Sequence, residues 1–308
     1  LASLVDQHLH LAGPLAEQKT PLVFVSEYTL KTRKQIIRSE TRNPLLRLRR
    51  TVWTTQFERR IRDAVALAAG IQCNGTPTYD AYRAINSNPL LYFDTRVGAA
   101  DIVDDATLER RFASLRDGNP LRLAYSGRLI AMKGADHLPL VARELRKRNI
   151  PFTMKICGDG TLVPVLNAAI AQYGLGDAVE LTGEIDFQTE LLPYVRSEVD
   201  LFVCCHRQGD PSCSYMETMA CGTPIVGYDN EAFEGIVRTT NVGWPVPMDR
   251  PDAMAEAIAR LHGDRAALVR AATASRDVAA RNTFEKTMEI RIAHMLQCSG
   301  ERKRRAAS

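Results

Sequence analysis

Two glycine-punctuated segments hold the side chains best suited to chemistry. SGRLIAMKG places Arg128 and Lys133 just after a predicted strand, and DPSCSYMETMACGTP places Glu217 on a helix that opens at a small-residue turn, Ser212, Cys213 and Ser214. The first N–H groups of a helix lack intrahelical partners and form a positive pole, so a helix start beside two cations suits an anion. Guanidinium and ammonium groups make charge-assisted hydrogen bonds to phosphate oxygens, and the set reads as a diphosphate site for a nucleotide-linked ligand. Each residue also has a plainer reading. Arg128 and Lys133 could flank a surface turn, Glu217 could be an exposed helix residue, and the serines could simply cap their helix.

The elements that must position these residues are legible in the second half of the chain. LRLAYSG, FTMKICG, AVELTG, VDLFVCC, TPIVGY and VGWPVP read as strands, and ADHLPLVARELRKR, LVPVLNAAIAQY, FQTELLPYVRS and SYMETMA read as the helices between them. Such alternation predicts an α/β, doubly wound parallel sheet from Asn119 to Thr283, in which ligands bind beyond the carboxyl ends of the strands. Gly127, Gly158, Gly160 and Gly183 fall at those ends, where a ligand can approach the backbone closely. In the first part, PLVFVSEY, LAAGIQC and PLLYFD read as strands around a long basic helical region, too few for a complete doubly wound sheet. The expected organisation is therefore a partial amino-terminal domain with a polar linker carrying one short helix (1–118), a ligand-binding domain (119–283), and a carboxyl-terminal helix (284–308) whose ERKRRAAS end is expected to be disordered.

Composition narrows the class. The chain has 308 residues, 45% hydrophobic and 25% charged, which is globular and neither fibrous nor disordered. No apolar run approaches the roughly 20 residues of a membrane-spanning helix. The opening LASLVDQHLHLAG lacks the form of a secretory signal, and the chain is expected to lack its natural beginning. Seven cysteines without a C-x-x-C pair suggest reduced core thiols and a cytoplasmic setting, with a metal cluster as the sharper alternative. Between Lys31 and Arg62 there are eleven Lys or Arg against two acids, Glu40 and Glu58. This is either a solvated helical face or a surface for a polyanion: acidic lipid headgroups on the inner face of a membrane, or a lipid-phosphate-linked acceptor. Nucleic acid is disfavoured, because only Trp53 and Phe57 are there to stack on bases.

From Leu121 to roughly Leu261, the ordered series SGRLIAMKG, ICGDG, LTGEI, a small-residue loop, METMACGTPIVG and VGWPV resembles the donor-binding domain of family-four glycosyltransferases. These are retaining enzymes of the GT-B fold, with two Rossmann-like doubly wound parallel-sheet domains facing a cleft, the first of them incomplete in this chain. The resemblance implies that Arg128 and Lys133 hold the diphosphate of a nucleoside diphosphate sugar in place of a metal ion. It implies that Glu217 accepts hydrogen bonds from the ribose hydroxyls, and that the amides at Ser212, Cys213 and Ser214 face the phosphates. Gly127, Gly158 and Gly160 would shape the strand-end turns, and Gly183, Glu184 and Ile185 would line the base. Neither a metal nor a separate cofactor is expected.

The family pairs Glu217 with an earlier glutamate, seven residues intervening, and here that position is Gly209. Asp210 beside it could supply the carboxylate with a one-residue shift, or be a turn residue before Pro211. In HLHLAGP, His10 and less so His8 match the place of a cleft histidine near the donor sugar, and a solvated loop histidine is an equal reading. Glu27, Asn74, Thr76, Asp94 and Arg96 are expected at strand ends on the acceptor side, although turn and capping roles would also explain each. The implied activity is retaining transfer of a hexosyl group to a hydroxyl of a glycan or lipid-linked acceptor. A non-catalytic GT-B binding protein and a GT-B nucleotide-sugar epimerase are the alternatives.

Overall fold

The computed structural model describes residues 2–300, so the ERKRRAAS tail lies outside the described residues. The described residues pack as two compact units: 2–94, 209–211 and 284–300 form the first, and 95–208 with 212–283 form the second.

In the first unit, β1 (Ala2–Leu4), β2 (Val23–Ser26), β3 (Gly70–Asn74) and β4 (Pro89–Tyr92) form a parallel sheet in that order. β1 was not recognised in the sequence, because three residues running straight into the helix Val5–His8 leave no periodicity to detect. The basic region folds as two helices, Leu30–Glu40 and Pro44–Leu67. Thr29 caps the first by accepting from the Thr32 amide at 3.1 Å, and Asn43 caps the second, with Pro44 in the first turn where its missing N–H costs nothing. Ile61, Val65, Phe24, Ile71 and Tyr82 make the core.

Not all of the basic charge is displayed. Arg33 is drawn inward, donating to Glu58 at 2.8 Å and to Asp6 at 2.5 Å, while Arg47 and Arg50 bond to Thr41. The helix Phe284–Ser299 belongs to this unit. Gln72 on β3 donates to the Arg291 carbonyl at 2.8 Å and accepts from Arg291 Nε at 2.9 Å.

The second unit holds β5 (Leu121–Ser126), β6 (Phe152–Cys157), β7 (Val179–Gly183), β8 (Leu201–Cys204), β9 (Ile225–Tyr228) and β10 (Gly243–Val246). They pair in parallel in the order β10-β9-β8-β5-β6-β7, the doubly wound sheet expected. β8 and β9 are wholly buried because helices cover both faces, so their sequences read as continuous apolar runs. The strand order reverses between β5 and β8, and the loops leaving those two strands border the place where such sheets bind ligands.

The segment read as a linker packs into this unit. In its helix Asp105–Arg116, Leu108, Phe112 and Leu115 are buried, and so is Arg111. Arg111 donates to the carbonyls of Arg196 at 3.0 Å, Cys221 at 2.9 Å and Gly222, satisfying groups past the end of the helix Cys213–Ala220. Burial pushes its pKa down to about 10, which still leaves the guanidinium charged at neutral pH.

Candidate functional site

The carboxyl rim of the second sheet is held together through its backbone. The amide of Gly127 donates to the Cys157 carbonyl at 3.0 Å, that of Leu129 to Asp159 at 2.8 Å, and that of Gly158 to Gly183 at 2.8 Å. The loops after β5, β6 and β7 thus form one continuous ridge. A Cβ on Gly158 would collide with the carbonyl oxygen of Gly127, and one on Gly160 with that of Leu129, so these two of the glycines expected at the strand ends are required by loop-on-loop packing, whereas a Cβ on Gly183 would meet nothing within 4 Å. Arg128 rides exposed on this ridge, and its carbonyl accepts from the Tyr125 hydroxyl at 3.3 Å.

Lys133 is placed differently. It ends the 3-10 turn Ala131–Lys133 and is only 7% exposed. The following Gly134 has φ 64°, and a Cβ there would collide with the Cys205 carbonyl, so the loop after β5 lies directly on the loop after β8. Arg207 fastens the two. Its amide donates to the Met132 carbonyl at 3.1 Å, its guanidinium to the Ala131 carbonyl at 2.6 Å, to both Asp136 oxygens at 2.8 and 2.9 Å, and to Asp249 at 2.6 Å. Burial opposes the charge on Arg207, yet its bonds to Asp136 and Asp249 raise its pKa further; burial likewise opposes the Asp136 charge, and Arg207 brings that pKa down. His206, beside it, is 1% exposed, and neither ring nitrogen has a hydrogen-bond partner. Its ring sits 6.1 Å from that of Tyr125 on β5 and 5.8 Å from that of Tyr215. Burial, and then the neighbouring Lys133 charge, hold its pKa well below the usual value, so His206 is neutral next to a cation.

Tyr215 lies on the helix Cys213–Ala220, whose residues from Ser214 onward are all buried. Ser212 occupies the N-cap position, but its hydroxyl does not cap; Ser212 Oγ and Ser214 Oγ are 2.8 Å apart instead. The reading of these serines as side-chain caps is therefore corrected. Glu217 is 8% exposed, which overturns the reading of it as an exposed helix glutamate, and its Oε1 accepts from Arg96 Nε at 2.7 Å. Arg96, expected on the acceptor side, instead belongs to the second unit, where its guanidinium lies 3.6 Å from the centre of the Phe187 ring. Glu184 is exposed and Ile185 half-buried, two residues before Phe187.

The structure thus gathers Gly127, Arg128, Lys133, Gly158, Gly160, Gly183, Glu184, Ile185, Ser212, Cys213, Ser214 and Glu217 in one unit. Asp210 is not among them. Residues 209–211 pack with the first unit, where the Gly209 amide donates to Gln35 at 3.1 Å and its carbonyl accepts from Thr32 at 3.4 Å. His10 is exposed on the turn Leu9–Leu11, also in the first unit, and His8 Nδ1 lies 2.7 Å from the Ser3 hydroxyl. Glu27 and Asp94 come together with Tyr92 and Arg291 around a cavity of about 310 Å³, and Asn74 accepts from the Asp94 amide at 3.0 Å. Burial, and then the charges of Asp94 and Asp6, raise the Glu27 pKa. Thr76 is buried, with its hydroxyl unpartnered. His206, Arg207 and the Arg96–Glu217 pair were not anticipated, because each depends on contacts between distant segments.

Residues 107–278, more than half of the chain, match the family model described as glycosyl transferases group 1. The chain belongs to this family. Among the chain's relatives is the alpha-D-kanosaminyltransferase of Streptomyces kanamyceticus, 33% identical over 171 residues that make up 54% of this chain and 44% of the relative. Another is a putative colanic acid biosynthesis glycosyltransferase, WcaL, of Salmonella typhimurium, 27% identical over 192 residues, 58% of this chain and 46% of the relative. The chain spans less than half the length of these two curated relatives. The solved structure of Anabaena HepE in complex with UDP covers 94% of this chain and 75% of its own with a TM-score of 0.66 at 17% identity. The two parallel-sheet α/β units are those of the GT-B fold.

The loop contact at Gly134 can be tested against Gly174, which has nearly the same φ, 61°, but nothing within 4 Å of a built Cβ. Gly174→Ala should cost about 1–2 kcal/mol of stability from left-handed strain alone. Gly134→Ala should cost about 1–3 kcal/mol more, because the Cys205 carbonyl must move. Urea denaturation of both variants measures the difference, and equal losses would contradict the contact.

Proposed function

We propose that the protein transfers a hexosyl group from a nucleoside diphosphate sugar to a hydroxyl acceptor with retention at the anomeric carbon and without a metal ion. The observation that carries this reading is the packing, where the strand order reverses, of the Lys133 turn on the loop after β8, whose His206 ring lies against Tyr215 of the helix that bears Glu217. Lys133 and Arg128 neutralise the charge that grows on the leaving diphosphate as the sugar–oxygen bond breaks, the task a divalent cation performs elsewhere. Amides at the start of the helix add a positive pole, and Glu217 accepts from the ribose hydroxyls. Neutral His206 adds no second charge beside Lys133. The acceptor oxygen bonds to the anomeric carbon on the face the diphosphate leaves, and its proton passes to the departing phosphate oxygen. Positioning and charge stabilisation account for the rate, with no carboxylate nucleophile.

The relatives act in glycan and glycoside assembly by their names, and HepE binds UDP, which favours a nucleotide-sugar donor here. The cavity between Glu27 and Asp94, with the Tyr92 ring beside it, has the carboxylates and aromatic surface that suit a sugar acceptor. Gly209 in place of the family's acid favours the second reading, a binding protein without turnover. Lys133→Ala should lower nucleotide release from UDP- or GDP-sugars by on the order of 10²–10³-fold with the fold retained. Near-normal rates in a folded variant would contradict the assigned role.

We also place the first unit at an anionic membrane surface, on the cytoplasmic side. Among the described residues, no helix is long and apolar enough to cross a membrane. The start of the helix Pro44–Leu67 nevertheless exposes Leu45 (78%), Leu48 (62%), Val52 (48%) and Trp53 (60%) beside the exposed Arg49 and Arg50. Apolar side chains among cations fit a headgroup boundary. Binding to vesicles containing anionic lipid should weaken as salt is raised and fall sharply in Leu48→Ser/Trp53→Ser. Equal binding to zwitterionic vesicles would contradict the role of anionic lipid, and binding to neither would leave only a solvated face.

A further inference from the structure

We propose that Arg96 is a positioning residue for the donor nucleotide, holding the Glu217 carboxylate in the orientation that receives the ribose. The inference rests on the ribose role given to Glu217 above. Arg96 lies outside residues 107–278, so the family match does not assign it a task.

Three features single it out. Its Nε donates to Glu217 Oε1 at 2.7 Å, while the guanidinium carbon stands 3.6 Å from the centre of the Phe187 ring. The Arg96 side chain is 61% exposed and that of Glu217 only 10%, so a surface cation reaches in to a nearly buried acid. Phe187 begins the turn Phe187–Leu191, separated only by Asp186 from the Gly183, Glu184, Ile185 loop to which the base is assigned. Ion pair and ring stack together fix a guanidinium that would otherwise sample many rotamers. An ion pair with one exposed partner adds little to folding stability, so orientation is the main effect of this arrangement. A carboxylate has about four acceptor positions, and the bond from Arg96 fixes the plane in which ribose hydroxyls must arrive.

Isothermal titration with UDP, GDP and their 2′-deoxy analogues tests this. Wild type should prefer the ribonucleotide of whichever base it binds. Arg96→Ala should weaken that ribonucleotide about fivefold to tenfold, the value of one ordinary hydrogen bond, and leave the 2′-deoxy analogue nearly unchanged. Phe187→Ala should weaken it in the same direction, and the double variant should be no worse than Arg96→Ala alone, since both act through one guanidinium. Arg96→Lys keeps the charge but not the planar stack, and should restore only part of the affinity. Tighter binding in Arg96→Ala would mean that Arg96 shields Glu217, and equal losses for ribo and deoxy forms would mean a general structural effect. Either result overturns the inference alone. Failure of wild type to bind any of the four nucleotides overturns the reading of the site, and the inference with it.

Discussion

The second unit depends on one close contact, the backbone of the loop after β5 lying on the backbone of the loop after β8. Gly134 makes it possible, because any side chain there would strike the Cys205 carbonyl. Arg207 then fastens it with its amide and guanidinium, reaching Met132, Ala131 and Asp136. The 3-10 turn that ends in Lys133 has almost no freedom left. An ammonium on a flexible four-carbon stem is an imprecise charge, and a buried, pinned turn is what makes it a fixed one.

The same packing sets the charge. His206, wedged between Tyr125 and Tyr215, fills the space behind Lys133 with a neutral ring. Arg207 carries a full charge, but Asp136 and Asp249 balance it locally. Lys133 and the exposed Arg128 are the two cations of the loop after β5. Arg111 completes the arrangement by satisfying carbonyls beyond the far end of the helix Cys213–Ala220, and so joins the segment before β5 to the site.

How much of this was legible follows from which forces are local. All six strands of the second sheet could be placed within two residues at either end, since β8 and β9 are buried apolar runs and glycine closes β5, β6 and β7. The glycines of ICGDG were also legible, although as places for ligand approach, and the structure shows Gly158 and Gly160 equally needed for loop-on-loop packing. What stayed hidden was long-range. Nothing near Arg207 indicates Asp136, and nothing near Glu217 indicates Arg96, which a strand-end reading had put on the acceptor side. Charge counting over residues 31–62 overstated the exposed cations, because Arg33 turns inward to Asp6 and Glu58. The three-residue β1 was missed, and the short helix expected in the linker was not seen to be part of the second unit, since only tertiary packing tells a domain element from a connection.

The central claim is that protein cations and a helix start, not a metal ion, hold a nucleoside diphosphate at the rim of the second sheet. Titration of the protein with UDP and GDP in the presence of excess EDTA tests it most directly. Saturable binding of at least one of them, unchanged when magnesium or manganese replaces the chelator, is the predicted result. Binding that appears only with a divalent cation would contradict the account.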